Sequence, residues 1–130
     1  MFEKLRIRIQ LIGLKGLKTA GFSRNGLRVS IGEESSREQI REFLQTLPSK
    51  FELSFFDYFH PQISDPGAYV SIQKMDNGFA CMLANHGWSA EWKMMELEDL
   101  ADYIYKNRQH TSDYFEIRPK VKDAVIGRRY

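Results

Sequence analysis

The stretch NHGWSAEW, residues 85–92, places a histidine, a glutamate and both tryptophans of the chain within eight positions. Histidine and glutamate are frequent acid–base catalysts, and tryptophan anchors many protein interfaces. On a strand over residues 88–94, side chains of alternate residues share a face, so Ser89, Glu91 and Lys93 would lie opposite Trp88, Ala90, Trp92 and Met94. This pattern favours a strand that covers a core with its tryptophans, with His86 as a turn residue. The alternative is that one tryptophan is half exposed and anchors a partner.

A cysteine nucleophile with a histidine base is disfavoured. The single cysteine, Cys81, lies five positions before His86, so on an unbroken strand the two side chains would point to opposite faces. Ala80 and Met82 flank the thiol, and apolar surroundings raise the pKa of a thiol instead of activating it. The histidines at 60, 86 and 110 do not show the spacing of metal ligands. We therefore predict a structural cysteine, no metal site and no cofactor.

One other stretch of the sequence contains residue types that could catalyse a reaction. The stretch FFDYFH places Asp57 and His60 among aromatic residues, so a small enzyme with a pocket near Asp57, His60 and His86 stays an alternative. The neighbouring carboxylates elsewhere in the chain are typical of solvated surface charges, whereas a general acid needs its pKa raised by burial. No glycine-rich phosphate-binding motif is present. The prediction is a protein that is not an enzyme.

The net charge of +2 hides a strong segregation. Residues 1–32 carry seven basic residues and one acidic residue. Residues 33–104 carry five basic and thirteen acidic residues, and residues 105–130 carry seven basic and three acidic residues. The three segments therefore have net charges of +6, −8 and +4. Such a chain can present an acidic and a basic face, each of which steers a partner of opposite charge.

The basic amino-terminal segment leaves nucleic-acid binding as a second alternative. Arg6 and Arg8 alternate with apolar residues as on a half-buried strand, and Lys15, Lys18 and Arg28 follow. Against this, the pI of about 8.7 is modest for a nucleic-acid binder, and the central acidic block would repel phosphate. We therefore expect nucleic acid not to be the partner.

The length and composition of the chain predict one cytoplasmic domain over residues 1–130. The apolar content of 42% is that of a folded protein, and no run approaches the roughly 20 apolar residues of a membrane helix. The charges at Arg6 and Arg8 interrupt the first apolar segment, which argues against a secretory signal. A single cysteine fits a reducing compartment.

Hydrophobic periodicity predicts two amphipathic helices. The first follows a capping box of either Ser35 with Glu38 or Ser36 with Gln39, and Pro48 ends it. Its apolar stripe has the i, i+3, i+4, i+7 spacing of Ile40, Phe43, Leu44 and Leu47. The second helix, in ELEDLADYIYKNR, repeats this spacing with Leu97, Leu100, Ala101 and Ile104.

The remaining segments predict strands. A hairpin turn at Asn25-Gly26 leads into LRVSI, FELSFFDYF follows the first helix, and Asp76-Asn77-Gly78 joins a second hairpin. GWSAEWKMM and DYFEIRP are further strands. The order of elements indicates an α+β fold with a mainly antiparallel sheet.

The stretch GWSAEWKMMELEDLADYIYKN resembles small bacterial immunity proteins, which neutralise contact-dependent and other polymorphic toxins. The resemblance covers about 20 residues: the pair Gly87-Trp88, then an acid-started helix with Leu97, Leu100, Tyr103 and Ile104. It implies a non-enzymatic protein that binds a cognate toxin domain tightly in the bacterial cytoplasm.

For a partner of this kind, we predict acidic contacts and aromatic anchors around the second helix. The predicted charged contacts are Glu91, Glu96, Glu98, Asp99 and Asp102. The predicted anchors are Trp88, Tyr103 and Tyr105, since the two tyrosines flank the apolar stripe and cannot both be fully covered by it.

Overall fold

A computed structural model describes residues 13–22, 26–56, 69–84, 92–107 and 114–126. In chain order the elements are β1 (Thr19–Phe22), β2 (Leu27–Ser30), α1 (Arg37–Thr46), β3 (Phe51–Phe56), β4 (Tyr69–Met75), β5 (Gly78–Ala84), β6 (Trp92–Met95), α2 (Leu97–Asn107) and β7 (Tyr114–Pro119). The α+β prediction is confirmed. The predicted strand around Arg6 and Arg8 lies outside the described residues.

The strands form one antiparallel sheet in the order β1-β2-β7-β3-β4-β5-β6 within the described part of the chain. β7 therefore lies between β2 and β3, with antiparallel pairing to both. The hairpin between β4 and β5 is confirmed: Met75 pairs with Gly78, and Gly78 takes the positive φ of 141° that favours glycine in a tight turn. β1 is the strand that faces β2.

Helix α1 begins at the second of the two capping boxes that the sequence allowed. Ser36 Oγ accepts the backbone N–H of Gln39 at 3.1 Å, and Gln39 Oε1 accepts the backbone N–H of Ser36 at 2.9 Å. Ser35 instead accepts the backbone N–H of Gly32. The helix ends where Leu47 turns to extended geometry before Pro48, as the ring of a following proline requires.

Both apolar stripes pack on the same face of the sheet. Ile40, Phe43, Leu44 and Leu47 of the first stripe have no exposed surface, nor do Leu100, Ala101 and Ile104 of the second. They share a core with a row of directly paired strand residues: Leu27, Ile117, Leu53, Ile72 and Cys81. Since paired residues of antiparallel strands point to the same side, this row defines the helix face.

The opposite side, which we call the back face, carries the adjacent row. Its paired residues are Arg28, Glu116, Ser54, Ser71, Met82 and Trp92. Ser54, Ser71 and Trp92 are at most 8% exposed, so the back face is also covered at this point. Neither helix in the described part of the chain is long and apolar enough to span a membrane.

Candidate protein-binding surface

The two helices are joined by a cluster of charged side chains at the surface. Arg37 Nη2 lies 3.1 Å from Glu98 Oε2, and Arg41 Nε donates to Glu98 Oε1. Arg37 Nη2 also donates to the backbone carbonyl of Glu98 at 3.1 Å. Asp102 continues the cluster, because its carboxylate lies 2.7 Å from Lys106 Nζ and 3.7 Å from Arg37 Nε. Glu98 and Asp102 therefore contact this chain's own basic residues.

The ion pairs shift the ionisation of both carboxylates in the same direction. The hydrogen bond from Arg41 lowers the pKa of Glu98, and a second hydrogen bond from Arg37 adds to the effect. The hydrogen bond from Lys106 lowers the pKa of Asp102. Conversely, the hydrogen bond to Glu98 raises the pKa of Arg41. Glu98, Asp102 and Arg41 therefore keep their charges at neutral pH, and Glu98 links α2 to α1 through its ion pairs with Arg37 and Arg41.

The other acidic residues in and just before the two helices face solvent. Residues 33–46 and 96–107 together contain eight carboxylates and three basic groups, a net charge of −5. All three basic groups, Arg37, Arg41 and Lys106, belong to the cluster around Glu98 and Asp102. The remaining carboxylates are exposed: Glu33, Glu34, Glu38, Glu42, Glu96 and Asp99. We call these six residues the acidic helix surface.

The two predicted tyrosine anchors lie on α2, the helix that also carries Asp99. Tyr103 and Tyr105 are both half-buried and pack against the hydrophobic core. Each ring is therefore held in place by the core while part of its surface reaches solvent. Such rings lose little conformational entropy when a partner covers them. Trp88 and Glu91, the two other predicted partner contacts of the 85–92 stretch, lie outside the described residues.

Trp92 is buried, as predicted. It is 5% exposed and lies on the back face, paired with Met82, whereas the helix-face row ends in Lys93. Met94, which shares the face of Trp92, is 41% exposed. The predicted apolar row therefore covers a core at Trp92 but not at Met94. The helices occupy the other face, and β6 is the outermost of the described strands, where Lys93 reaches solvent.

A chain segment that sequence patterns did not mark crosses the back face. Residues 120–126, which we call the strap, follow β7 and end at Ile126, which pairs in parallel with Trp92. The buried side chain of Gln73 fastens the strap. Its Oε1 accepts the backbone N–H of Ala124 at 2.9 Å, and its Nε2 donates to the carbonyl of Lys122 at 3.1 Å and to Glu52 at 3.2 Å. A lone glutamine in a strand gives no local signal of such a role.

A small cleft remains between the strap and the back face. Its volume is about 160 Å³, and it is lined by Glu52, Gln73, Trp92 and residues 121–124 of the strap. Typical ligand sites enclose roughly 300–1,000 Å³. The cleft therefore has room for a few water molecules or for one small polar group.

The predicted structural role of Cys81 agrees with its surroundings. The thiol is buried in the core, and burial raises its pKa to about 12. It is therefore a thiol, not a thiolate, at neutral pH. Within the described ranges, no three histidine, cysteine or acidic side chains group closely enough to hold a metal ion.

Most residues on which the two alternative functions depend are not among those that the structure describes. Asp57, His60 and His86 lie outside the described residues, as do Arg6 and Arg8. Lys15, Lys18 and Arg28 are exposed around the first hairpin. Comparisons with protein-family models, with curated proteins and with solved structures find no match to this chain.

Proposed function

We propose that this chain is a protein-binding module and, more specifically, an immunity protein that neutralises a bacterial toxin domain in the cytoplasm. The observation that carries the proposal is the acidic helix surface. It presents six exposed carboxylates in and just before two helices whose apolar stripes pack in the core, Leu97 only partly buried, and whose basic side chains are already engaged in ion pairs.

The arrangement suits electrostatic steering of a basic protein. Exposed charges of one sign on a rigid surface raise the rate of encounter with an oppositely charged partner. Glu96 and Asp99 are the predicted contacts with most freedom to act in this way, because Glu98 and Asp102 form the internal cluster. Tyr103 and Tyr105 are the candidate anchors that would slow dissociation once the partner is bound.

The sequence resemblance supports a toxin as the partner. The segment that resembles immunity proteins includes all of α2, and therefore both tyrosines and both carboxylates of the ion-pair cluster, Glu98 and Asp102. In the proposed mechanism the chain transforms no substrate. It covers the active site or the docking surface of the toxin and thereby blocks it.

The proposal expects a neighbouring gene to encode a toxin, and the direct test is to co-express the chain with the toxin domain of that gene. The proposal expects the toxin to be lethal alone and harmless in the presence of the chain, and the two proteins to co-purify. Equal lethality with and without the chain would overturn it.

A second experiment tests whether the acidic helix surface is the contact. The double variant Glu96→Gln/Asp99→Asn should lower the association rate several-fold at low salt, and the difference should shrink as salt screens the charges. Asp76→Asn is the matched control, because Asp76 is an exposed acid in the β4–β5 turn, where asparagine is equally suited. If both variants associate at the wild-type rate, the binding surface lies elsewhere.

A further inference from the structure

The acidic helix surface is divided between the two helices. Glu38 and Glu42 lie on α1, whereas Glu96 lies just before α2 and Asp99 in its first turn. A partner that contacts both groups therefore depends on how α2 is placed against α1. The apolar stripes fix this placement only in part, because the burial of apolar surface has no preferred direction. Hydrogen bonds between the helices are directional and can fix the rest.

One side chain of α1, that of Arg37, reaches α2 at three points. Its Nη2 donates to Glu98 Oε2 and to the backbone carbonyl of Glu98, both at 3.1 Å. Its Nε lies 3.7 Å from Asp102 Oδ1. The bond to the carbonyl engages the backbone of α2 itself, and not only a side chain that can rotate away. The rigid fork of donors in a guanidinium is suited to several acceptors at once.

The two other basic residues of the cluster make different contacts. Arg41 lies one turn beyond Arg37 on α1, and it donates to the side chain of Glu98 alone on α2. Lys106 lies on α2 itself, where its Nζ is 2.7 Å from Asp102 and its side chain is 70% exposed. Among the three basic groups of the cluster, Arg37 is therefore the one that contacts both carboxylates and the backbone of the other helix.

We propose that Arg37 is the positioning residue of the acidic helix surface: it holds α2 against α1 so that the carboxylates of both helices meet a basic partner together. This inference rests on the proposed function. In this role Arg37 does not touch the partner but acts through Glu98 and the backbone of α2. Its own positive charge disfavours a basic partner, so loss of Arg37 has opposite effects on steering and on positioning.

The test is the binding kinetics of Arg37→Gln with the toxin domain, compared with Lys106→Gln. Both variants remove one positive charge beside the acidic helix surface, so both should associate at least as fast as wild type at low salt. Arg37→Gln also releases α2 from α1, and we expect its complex to dissociate about fivefold faster or more, since charged hydrogen bonds are lost. Lys106→Gln should dissociate at the wild-type rate. Dissociation is measured on the complex already formed, so a smaller folded fraction of the free chain does not alter it.

Two further measurements separate positioning from charge. Arg37→Lys keeps the charge but not the fork of donors, so it should associate like wild type and dissociate nearly as fast as Arg37→Gln. Without any toxin, hydrogen exchange at amides 100–104 of α2 should be several-fold faster in Arg37→Gln than in Lys106→Gln, because α2 opens more easily when it is less firmly held. Should Arg37→Gln fail to fold, Arg37→Lys gives the same two measurements.

The outcomes distinguish this inference from the proposed function. If wild type binds the toxin but Arg37→Gln and Lys106→Gln dissociate at equal rates, the positioning role is overturned and the proposed function stands. Unchanged hydrogen exchange in α2 would overturn the positioning role whether or not a toxin binds. If the wild-type chain binds no toxin, the proposed function fails and the positioning role fails with it.

Discussion

The rings of Phe43 and Phe115 stack with their centroids 6.0 Å apart and their planes inclined by 25°. The contact joins α1 to β7 at the centre of the core, and neither ring has exposed surface. We expect Phe43→Ala to lower the free energy of unfolding by about 3–5 kcal/mol, because it removes a large buried side chain and leaves a cavity. Urea denaturation followed by circular dichroism measures this loss. Val125→Ala, at a half-exposed position, should stay within about 0.5 kcal/mol of wild type. Similar losses for the two variants would contradict the assigned core.

Gly16 allows the segment before β1 to cross closely over α1. Its φ is +97°, and an added Cβ would lie 2.7 Å from the backbone nitrogen of Phe43 and too close to the carbonyl oxygen of Gln39. We expect Gly16→Ala to cost at least about 2 kcal/mol of unfolding free energy, because both the backbone angle and the space oppose a side chain. Gly13→Ala is the control, since nothing lies within 4 Å of a Cβ there. Thermal unfolding of the two variants measures the difference. A Gly16→Ala variant as stable as Gly13→Ala would refute this close approach.

Acid should weaken the contact between the helices. The pKa values of Glu98 and Asp102 are lowered from 4.5 and 3.8, mainly by hydrogen bonds from Arg41 and Lys106. Their contribution to stability is therefore present above the unfolded-state pKa and is lost as the pH falls through the folded-state pKa. We expect stability to fall below about pH 4.5, and Glu98→Gln to remove part of that fall.

The measurement compares urea unfolding at pH 7 and pH 3. Glu96→Gln, at an exposed position two residues away, is the matched control and should keep the wild-type pH dependence. If Glu98→Gln and wild type lose the same stability between these two pH values, the cluster does not couple ionisation to folding.

Cys81 should resist thiol reagents in the native state. Burial holds its pKa at about 12, so both access and thiolate formation are suppressed at pH 8. We expect reaction with a disulfide reagent to be slow in buffer and fast in guanidinium chloride. Ser49→Cys in a Cys81→Ala background provides an exposed thiol for comparison. A native Cys81 that reacts as fast as this exposed thiol would contradict its placement in the core.

Local patterns in the sequence predicted the elements well. The stripe from Ile40 to Leu47, the stop at Pro48 and the turn at Asp76-Asn77-Gly78 all lie where these patterns placed them. Each depends on residues within one or two turns of helix, or on one tight hairpin. Side-chain spacing and backbone preference are properties of such short segments, so they can be recognised without the rest of the chain.

Spacing alone could not predict the face on which Trp92 lies. Alternation shows which residues share a side of a strand, but not which side the helices cover. That choice depends on the register of β6 against β5, where Cys81 pairs with Lys93 and Met82 pairs with Trp92.

The sequence by itself determined the helices, the hairpins, the segregation of charge and the identity of the buried stripes. Only the tertiary structure decided that β7 enters between β2 and β3, that Glu98 meets Arg37 and Arg41, and that Gln73 holds the strap. The side-chain hydrogen bonds of Arg37 and Arg41 with Glu98, and of Gln73 with the strap, join residues 49 to 61 positions apart. Contacts over such separations arise from how whole helices and strands pack. The sequence around either residue of such a pair gives no sign of the contact.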